Sequence, residues 1–539
     1  MTGGTSSGRA DGWTPERSVA GNHNPWAIVA VISIATFMTV LDTSIVNVAL
    51  DHIAGDLSAS YDQATWVTTT FLAATAIVIP ISGWLADVMG RKRYYMTSVA
   101  LFTLASLLCG IAPNLTVLIL ARAIQGAAGG GLAAVEQSML ADTFPPKKRG
   151  MAFAAYGMVI IVAPICGPIL GGWITDNASW RWCFLINVPI GLLSLLLVRI
   201  FVDEPEALKR ARAAILQHGL KMDLVGLVLV ALFFGCLDLT LDRGQIDDWF
   251  SSPFITTTAV VAALSLILFI PWELTRDKPI VPVAMFVRGN FAIASIFLML
   301  TGMILFGTTL FIPQLLQVVM GYTATDAGLA LTAGGVATVI VMPIIGFVSG
   351  RIDARLLIGT GFVIQALALL YMSHLSTDMT FANAALARML QSIGLPFLFI
   401  PITTVAYVGL APNESNQASA MMNVARNLGG TVGISSVQIL LAQREQFHQA
   451  RLVEMLNPLN PTYTAGIDHL TQGLLDRGQS AANASREAVA TLYGIVQQQA
   501  AMLSFIDVFH VLMIVVILAM PLLLVMQGPN GGGVKAHIE

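Results

Sequence analysis

Long apolar runs alternate with short polar links along almost the whole chain. Crossing a hydrocarbon layer ~30 Å thick takes about 20 apolar residues in a helix. Runs of that kind fall near 26–50, 64–86, 95–112, 116–140, 150–174, 181–202, 222–241, 254–273, 290–312, 327–349, 355–374, 381–409, 416–442 and 504–526. They predict an all-α membrane protein with fourteen transmembrane helices. Residues 1–25 are polar, rich in Gly and Ser, and hold no apolar stretch of signal-peptide kind. The first helix is therefore expected to anchor the chain itself. Residues 443–503 break the rhythm: they are polar, with helix-forming stretches, between the last two runs. They read equally as a small subdomain outside the bilayer or as a flexible loop.

Charge orients these helices. Only 11% of the 539 residues are charged and 56% are hydrophobic, against about 25% charged in soluble domains. With the N-terminus in the cytoplasm, all seven lysines (Lys92, Lys147, Lys148, Lys209, Lys221, Lys278, Lys535) fall on cytoplasmic segments. So do most arginines, as the positive-inside rule requires. Arg181, Arg243, Arg444, Arg451, Arg477 and Arg486 fall outside, and Arg122, Arg388 and Arg426 fall within spans. Both termini are then cytoplasmic. The net charge of −3 gives no reason to expect a nucleic-acid partner.

Two segments recur. Pro80-Ile81-Ser82-Gly83 closes the second span and Pro343-Ile344-Ile345-Gly346 the tenth. Ala121-Arg122-Ala123-Ile124-Gln125-Gly126 lies in the fourth and Ala387-Arg388-Met389-Leu390-Gln391-Ser392 in the twelfth. The separations, 263 and 266 residues, nearly agree. Duplicated six-helix halves with two inserted helices account for them, and many transporters are built from such halves. The expected plan is a tail at 1–25, a bundle at 26–203, a linker with two inserted helices at 204–289, a second bundle at 290–527 and a tail at 528–539.

Ionisable residues inside spans are expensive and point to function. Removal from water disfavours a charged carboxylate, so Asp42 is a candidate proton carrier; a fixed place in a hydrogen-bond network is the alternative. Arg keeps its charge, so Arg122 calls for an anionic partner or water. At 1.5 Å per residue, Asp42 and Arg122 lie roughly 12 and 9 Å inside the outer ends of their spans, depths that allow pairing. Glu136 follows Arg122 on nearly the same helix face, about 21 Å nearer the cytoplasm. It reads as a proton or cation site or as a solvated helix-end residue. Asp238 in the seventh span has the same ambiguity. Glu136, Asp238 and Gln125 are candidates for a substrate cavity.

Gly126, Gly129, Gly130 and Gly131 thin one side of the fourth span, and Ala163, Gly167, Pro168, Gly171 and Gly172 thin the fifth. Small residues let helices approach closely, and Pro168 invites a kink. Gly83, Asp87, Gly90 and Arg91 at the cytoplasmic mouth suggest a latch between the halves. There is no Gly-x-x-x-x-Gly-Lys-Ser/Thr phosphate loop, which argues against an ATP-driven pump. No catalytic constellation, metal-ligand spacing or cofactor motif is present, and Cys109, Cys166, Cys183 and Cys236 all lie in apolar runs.

These segments resemble the major facilitator superfamily, and within it the fourteen-span drug:proton antiporters of the EmrB/QacA type. Gly83-Trp84-Leu85-Ala86-Asp87-Val88-Met89-Gly90-Arg91-Lys92 is similar to the superfamily's signature after the second span. Leu41-Asp42-Thr43-Ser44-Ile45-Val46-Asn47 is similar to the first-helix motif of fourteen-spanners. Arg122-Ala123-Ile124-Gln125-Gly126 resembles the motif whose Arg is linked to proton transfer. Ala163-Pro164-Ile165-Cys166-Gly167-Pro168-Ile169-Leu170-Gly171-Gly172 resembles the antiporter motif of exporters. Trp182-Cys183-Phe184-Leu185-Ile186-Asn187 and Leu241-Asp242-Arg243-Gly244 resemble EmrB-type stretches. Asp51 departs from the pattern, standing where the first-helix motif has Pro.

The resemblance implies a major facilitator fold and proton-coupled export of lipophilic drugs or amphiphiles, with Asp42, Arg122 and Glu136 in proton coupling. It implies a bacterial inner membrane and, through residues 443–503, a periplasmic adaptor (EmrA-like) with an outer-membrane channel (TolC-like). Two other readings remain: an uptake symporter or facilitator for a small metabolite, against which the fifth-span motif argues, and a non-transporting sensor or scaffold.

Overall fold

A computed structural model describes residues 18–20, 23–217, 223–276, 279–408, 410, 414–457 and 459–526. Most of the N-terminal tail, the 528–539 tail and Lys221, Lys278 and Lys535 lie outside the described residues, as does the side chain of Pro168.

The first half begins with α1 (Pro25–Asp56), α2 (Tyr61–Met89) and α3 (Arg91–Gly110). The fourth predicted span is α4 (Leu115–Gly129) and α5 (Leu132–Thr143), broken at Gly130-Gly131. α6 (Pro146–Asn177), the short α7 (Trp182–Leu185) and α8 (Asn187–Phe201) complete this half. α9 (Glu206–Gln217), the inserted pair α10 (Leu224–Arg243) and α11 (Pro253–Leu274) follow. The second half holds α12 (Gly289–Gln314), α13 (Ala324–Val348), α14 (Ala354–Ser373), α15 (Phe381–Ala406), α16 (Ser415–Glu454), α17 (Pro461–Asp476), α18 (Ala481–Ala519) and α19 (Leu522–Val525).

Local signals set the ends. Ser60 and Gln63 form a reciprocal capping box at the start of α2, and Thr323 and Asp326 do so for α13. Each satisfies backbone donors that the first helical turn leaves free. Asn24, Asn114 and Asp223 cap α1, α4 and α10 through side-chain oxygens.

Among the described residues, eleven helical segments are long and apolar enough to cross a membrane by length and composition. The predicted third, fifth and thirteenth spans are helical too, as α3, α6 and α16. α3 opens on Arg91-Lys92-Arg93, α6 on two lysines and an arginine, and α16 carries Asn416, Asn423, Arg426 and Asn427. A helix buried among other helices can carry polar groups that a lipid-facing one cannot.

Packing follows the duplication. α1 lies against α6, α2 against α4 and α3 against α8; α12 packs on α16, α13 on α15 and α14 on α15 and α18. α2 and α5 meet α16, and α6 meets α13, between the halves. The inserted α10 touches both α2 and α16. The fold is thus six, two and six helices.

Residues 443–503 are largely helical. α16 has 40 residues and α18 has 39, about 60 Å each, twice the hydrocarbon thickness. They project together, and α17 packs along α18. Arg444 Nε and His448 Nε2 both contact Asp507 Oδ2, at 2.5 and 2.7 Å, tying α16 to α18. Gln449 Nε2 donates to the Tyr493 hydroxyl at 3.1 Å.

Candidate functional site

The structure brings Asp42 and Arg122 together. Both are fully buried, and Arg122 Nη1 lies 2.5 Å from Asp42 Oδ2. Gln125 Nε2 (3.0 Å) and Asn187 Nδ2 (2.6 Å) donate to Asp42 Oδ1. Arg122 Nη1 also reaches Gln125 Oε1 at 2.8 Å, and its Nε donates to the Val67 carbonyl at 3.0 Å. The Phe71 ring stacks on the guanidinium with its centroid 4.0 Å from Cζ. Four helices, α1, α2, α4 and α8, converge on this pair. Such a pair is costly unless its remaining polar atoms are also bonded; Gln125, Asn187 and the Val67 carbonyl bond most of them, while Arg122 Nη2 has no partner among the described residues. Sequence reasoning gave Asn187 no role; its signal was a polar residue closing the Trp182–Asn187 stretch.

Glu136 stands apart from that pair. It lies on α5, fully buried, and accepts from the Thr36 hydroxyl, which also contacts the Tyr156 hydroxyl at 3.0 Å. Glu136 Oε1 has no hydrogen-bond partner among the described residues. The next residue, Gln137, accepts at 3.0 Å from Asn423 on α16, and Asn423 Oδ1 accepts from Arg426 at 2.8 Å. A carboxylate from one half and a guanidinium from the other thus flank one polar seam.

Burial corrects the helix-end reading of Glu136. The candidate substrate trio is also not assembled: Gln125 belongs to the Asp42 network and Glu136 to the Thr36–Tyr156 pair. Asp238 lines a third place, between α2, α10 and α16, with Ala76, Ile79, Phe234 and Asn427. Its Oδ1 accepts from Thr431 at 3.2 Å and its Oδ2 has no partner among the described residues. The cavity there measures about 30 Å³, far below the roughly 300–1,000 Å³ of a drug site.

The latch residues lie where the halves touch, at the bundle end rich in basic residues. Asp87 accepts from Asn416 Nδ2 on α16. Arg91 pairs instead with Asp142 on α5, and Asp142 Oδ1 accepts from Ser415 at 3.1 Å. Ser138 Oγ donates to Asn416 Oδ1 at 2.5 Å. The duplicated glycines explain themselves here. A Cβ on Gly83 would sit 3.0 Å from the Asn416 carbonyl oxygen and the Gln417 Cα, at the start of α16. A Cβ on Gly346 would sit 3.1 Å from the Met151 Cα, at the start of α6. Each half therefore sets one glycine against a helix start of the other.

Gly90 adopts φ +88°, with Glu204 Oε1 2.0 Å from where a Cβ would stand. A Gly90→Ala change should lower stability by about 1–3 kcal/mol, read as a lower Tm of the detergent-solubilised protein; an unchanged Tm would contradict it.

In the fifth-span motif, a Cβ on Gly167 would meet Ser44 Oγ at 2.2 Å and one on Gly171 the Ile45 carbonyl at 3.2 Å, so both pack on α1. Ser44 Oγ donates to the Pro164 carbonyl at 2.9 Å. Gly172 meets nothing within 4 Å, so it takes no part in this contact. α6 runs as one helix through Pro164 and Pro168.

Buried charge at the heart of duplicated helical halves defines a multi-pass membrane transporter, not an enzyme. The family model of the Major Facilitator Superfamily matches residues 32–434. The chain is 42% identical to the multidrug export protein EmrB of Haemophilus influenzae, over 84% of this chain and 88% of that protein. It is 39% identical to EmrB of Escherichia coli K12, over 94% of this chain and 96% of that protein. The crystallised proton:xylose symporter XylE shares the fold at a TM-score of 0.56 and 15% identity, over 79% of this chain and 90% of XylE. The chain belongs to the major facilitator superfamily, among its EmrB-like multidrug efflux permeases.

Proposed function

We propose that this protein is a proton-driven exporter of lipophilic drugs and related amphiphiles, working by alternating access. The buried Asp42–Arg122 pair carries the reading. A proton on Asp42 removes the charge that holds Arg122, and the freed guanidinium must find another acceptor. That gives a proton a differential effect on two arrangements of the same helices, which any coupled conformational change requires. Glu136 supplies a second buried carboxyl, beside the seam between the halves.

In this reading the basic end faces the cytoplasm of a bacterial inner membrane, with both termini on that side. The Asp87–Asn416 and Ser138–Asn416 contacts then close the cytoplasmic mouth, and protons reach Asp42 from outside. The α16–α17–α18 projection stands in the periplasm, where it is offered to an EmrA-like adaptor leading to a TolC-like channel. Phe447, Met455, Leu459 and Tyr493 are exposed on it, as an apolar docking face requires.

Ethidium accumulation in efflux-deficient bacteria separates export from uptake. Cells making the protein should hold less ethidium than cells without it, and equal or greater accumulation would contradict export. Glu136→Gln keeps the Thr36 bond to an oxygen while removing the titratable proton. It should cut efflux about 5–150-fold, the range of a lost coupling free energy; full efflux would remove Glu136 from coupling.

A further inference from the structure

The duplication extends to individual hydrogen bonds. The 266-residue separation that relates Arg122 to Arg388 and Gln125 to Gln391 also carries Asp42 to Thr308 and Thr43 to Thr309. In the second half, Arg388 Nη1 donates to Gln391 Oε1 at 2.6 Å and to Thr308 Oγ1 at 3.1 Å. Gln391 Nε2 donates to Thr308 Oγ1 at 2.6 Å. These are the same three bonds that join Arg122, Gln125 and Asp42.

The negative charge is not repeated. Thr308 is neutral, and its hydroxyl proton already goes to the Ile304 carbonyl at 2.6 Å. No ion pair among the described residues includes Arg388. Its residue is 5% exposed. Its Nε has no acceptor among the described residues, whereas Arg122 Nε has the Val67 carbonyl. Nη2 meets only the Thr309 hydroxyl, at 3.0 Å. An arginine cannot shed its charge, and a buried charge without a counter-charge is strongly destabilising. The chain supplies the guanidinium and the Thr309 hydroxyl of an anion site, but not the anion.

We propose that Arg388, through its unpartnered Nε and with the Thr309 hydroxyl, binds one monovalent anion beside Thr308, supplying the negative charge that Asp42 supplies in the first half. The ligand is either a free halide or a carboxylate carried by a transported compound; only the second source rests on the exporter reading above. Coupling is then unequal between the halves: the first answers to protons and the second to anions.

The test uses the purified full-length protein in detergent, at constant ionic strength in sodium isethionate, a bulky sulfonate that is neither halide nor carboxylate. Chloride and, separately, benzoate replace isethionate, and Tm is read. A ligand that binds only the folded state raises Tm saturably, by roughly 1–3 °C here. Thr308→Asp places a carboxylate in the site and should remove the response to both anions; Arg388→Gln should also remove it. A response to both anions assigns a general small-anion site, and a response to benzoate alone assigns it to the carboxylate of a substrate. Absence of any response in the unmodified protein, or a full response in both Thr308→Asp and Arg388→Gln, overturns the proposal. Because no transport is measured, failure here is distinct from failure of the exporter assignment.

Discussion

Asp42→Asn is expected to abolish gradient-driven efflux while leaving a folded, membrane-inserted protein. The substitution keeps size and shape, and the remaining amide oxygen can still accept from Gln125 and Asn187, as Oδ1 does now. On the other branch it puts an NH2 group where Arg122 Nη1 meets a carboxylate oxygen at 2.5 Å. Donor then faces donor, and the guanidinium loses its counter-charge for good. Removing one partner of a buried pair shifts the balance by roughly 3–5 kcal/mol, more than 100-fold in an equilibrium constant. Efflux rate in energised cells, normalised to membrane protein level, reads the effect. Efflux at the unmodified rate would remove Asp42 from the coupling path.

Gly83→Leu should give the second large effect by a different route. Gly83 has no space beside it: the α16 backbone at Asn416 and Gln417 stands 3.0 Å from where its Cβ would be. A leucine there must push α2 and α16 apart at the mouth where Asp87 and Ser138 bond Asn416. Overpacking of this kind costs about 1–3 kcal/mol, borne only by the conformation in which the halves close. The population of that conformation should fall about 5–150-fold, and efflux with it. Hydrogen exchange should quicken over 79–90 and 415–423. Unchanged exchange with normal efflux would show that the contact is not part of the cycle.

Much of the fold was legible because a membrane leaves few options. Backbone groups in hydrocarbon must bond within the segment, so apolar runs of the right length become helices, and each of the fourteen predicted runs is helical. The break at Gly130-Gly131 was harder to see. It needs knowledge of what lies alongside: the Thr75 carbonyl 2.8 Å from a Cβ on Gly130, and the Tyr94 hydroxyl 1.9 Å from one on Gly131. At the site, Asp42 and Arg122 stood out as charges in apolar runs, and depth alone suggested their pairing. Asn187, Asn416, Asn423 and Tyr156 did not stand out. Neutral polar residues are common in spans, and only three-dimensional packing shows which of them join a network with a charged group. The role of Asp142 as Arg91's partner was hidden for a similar reason, since Asp87 lies nearer in sequence.

The same limit explains the candidate cavity. Helix phase set Glu136 on nearly the face of Arg122, but the helix breaks at Gly130-Gly131 between them, and periodicity within one helix says nothing about neighbours. Glu136, Gln125 and Asp238 each turn toward different helices, so a shared property, polarity inside a span, grouped residues that the packing separates. The echo between the halves proved more informative than its two short segments suggested, because it also relates the hydrogen bonds around them.

Proton movement in liposomes tests the central claim most directly. Purified protein would be reconstituted with a pH-sensitive dye trapped inside, and ethidium added on one side. The account predicts proton flux opposite to ethidium movement, dependent on ethidium, and absent in Asp42→Asn. Ethidium transport with no accompanying proton flux, or undiminished flux in Asp42→Asn, would contradict it.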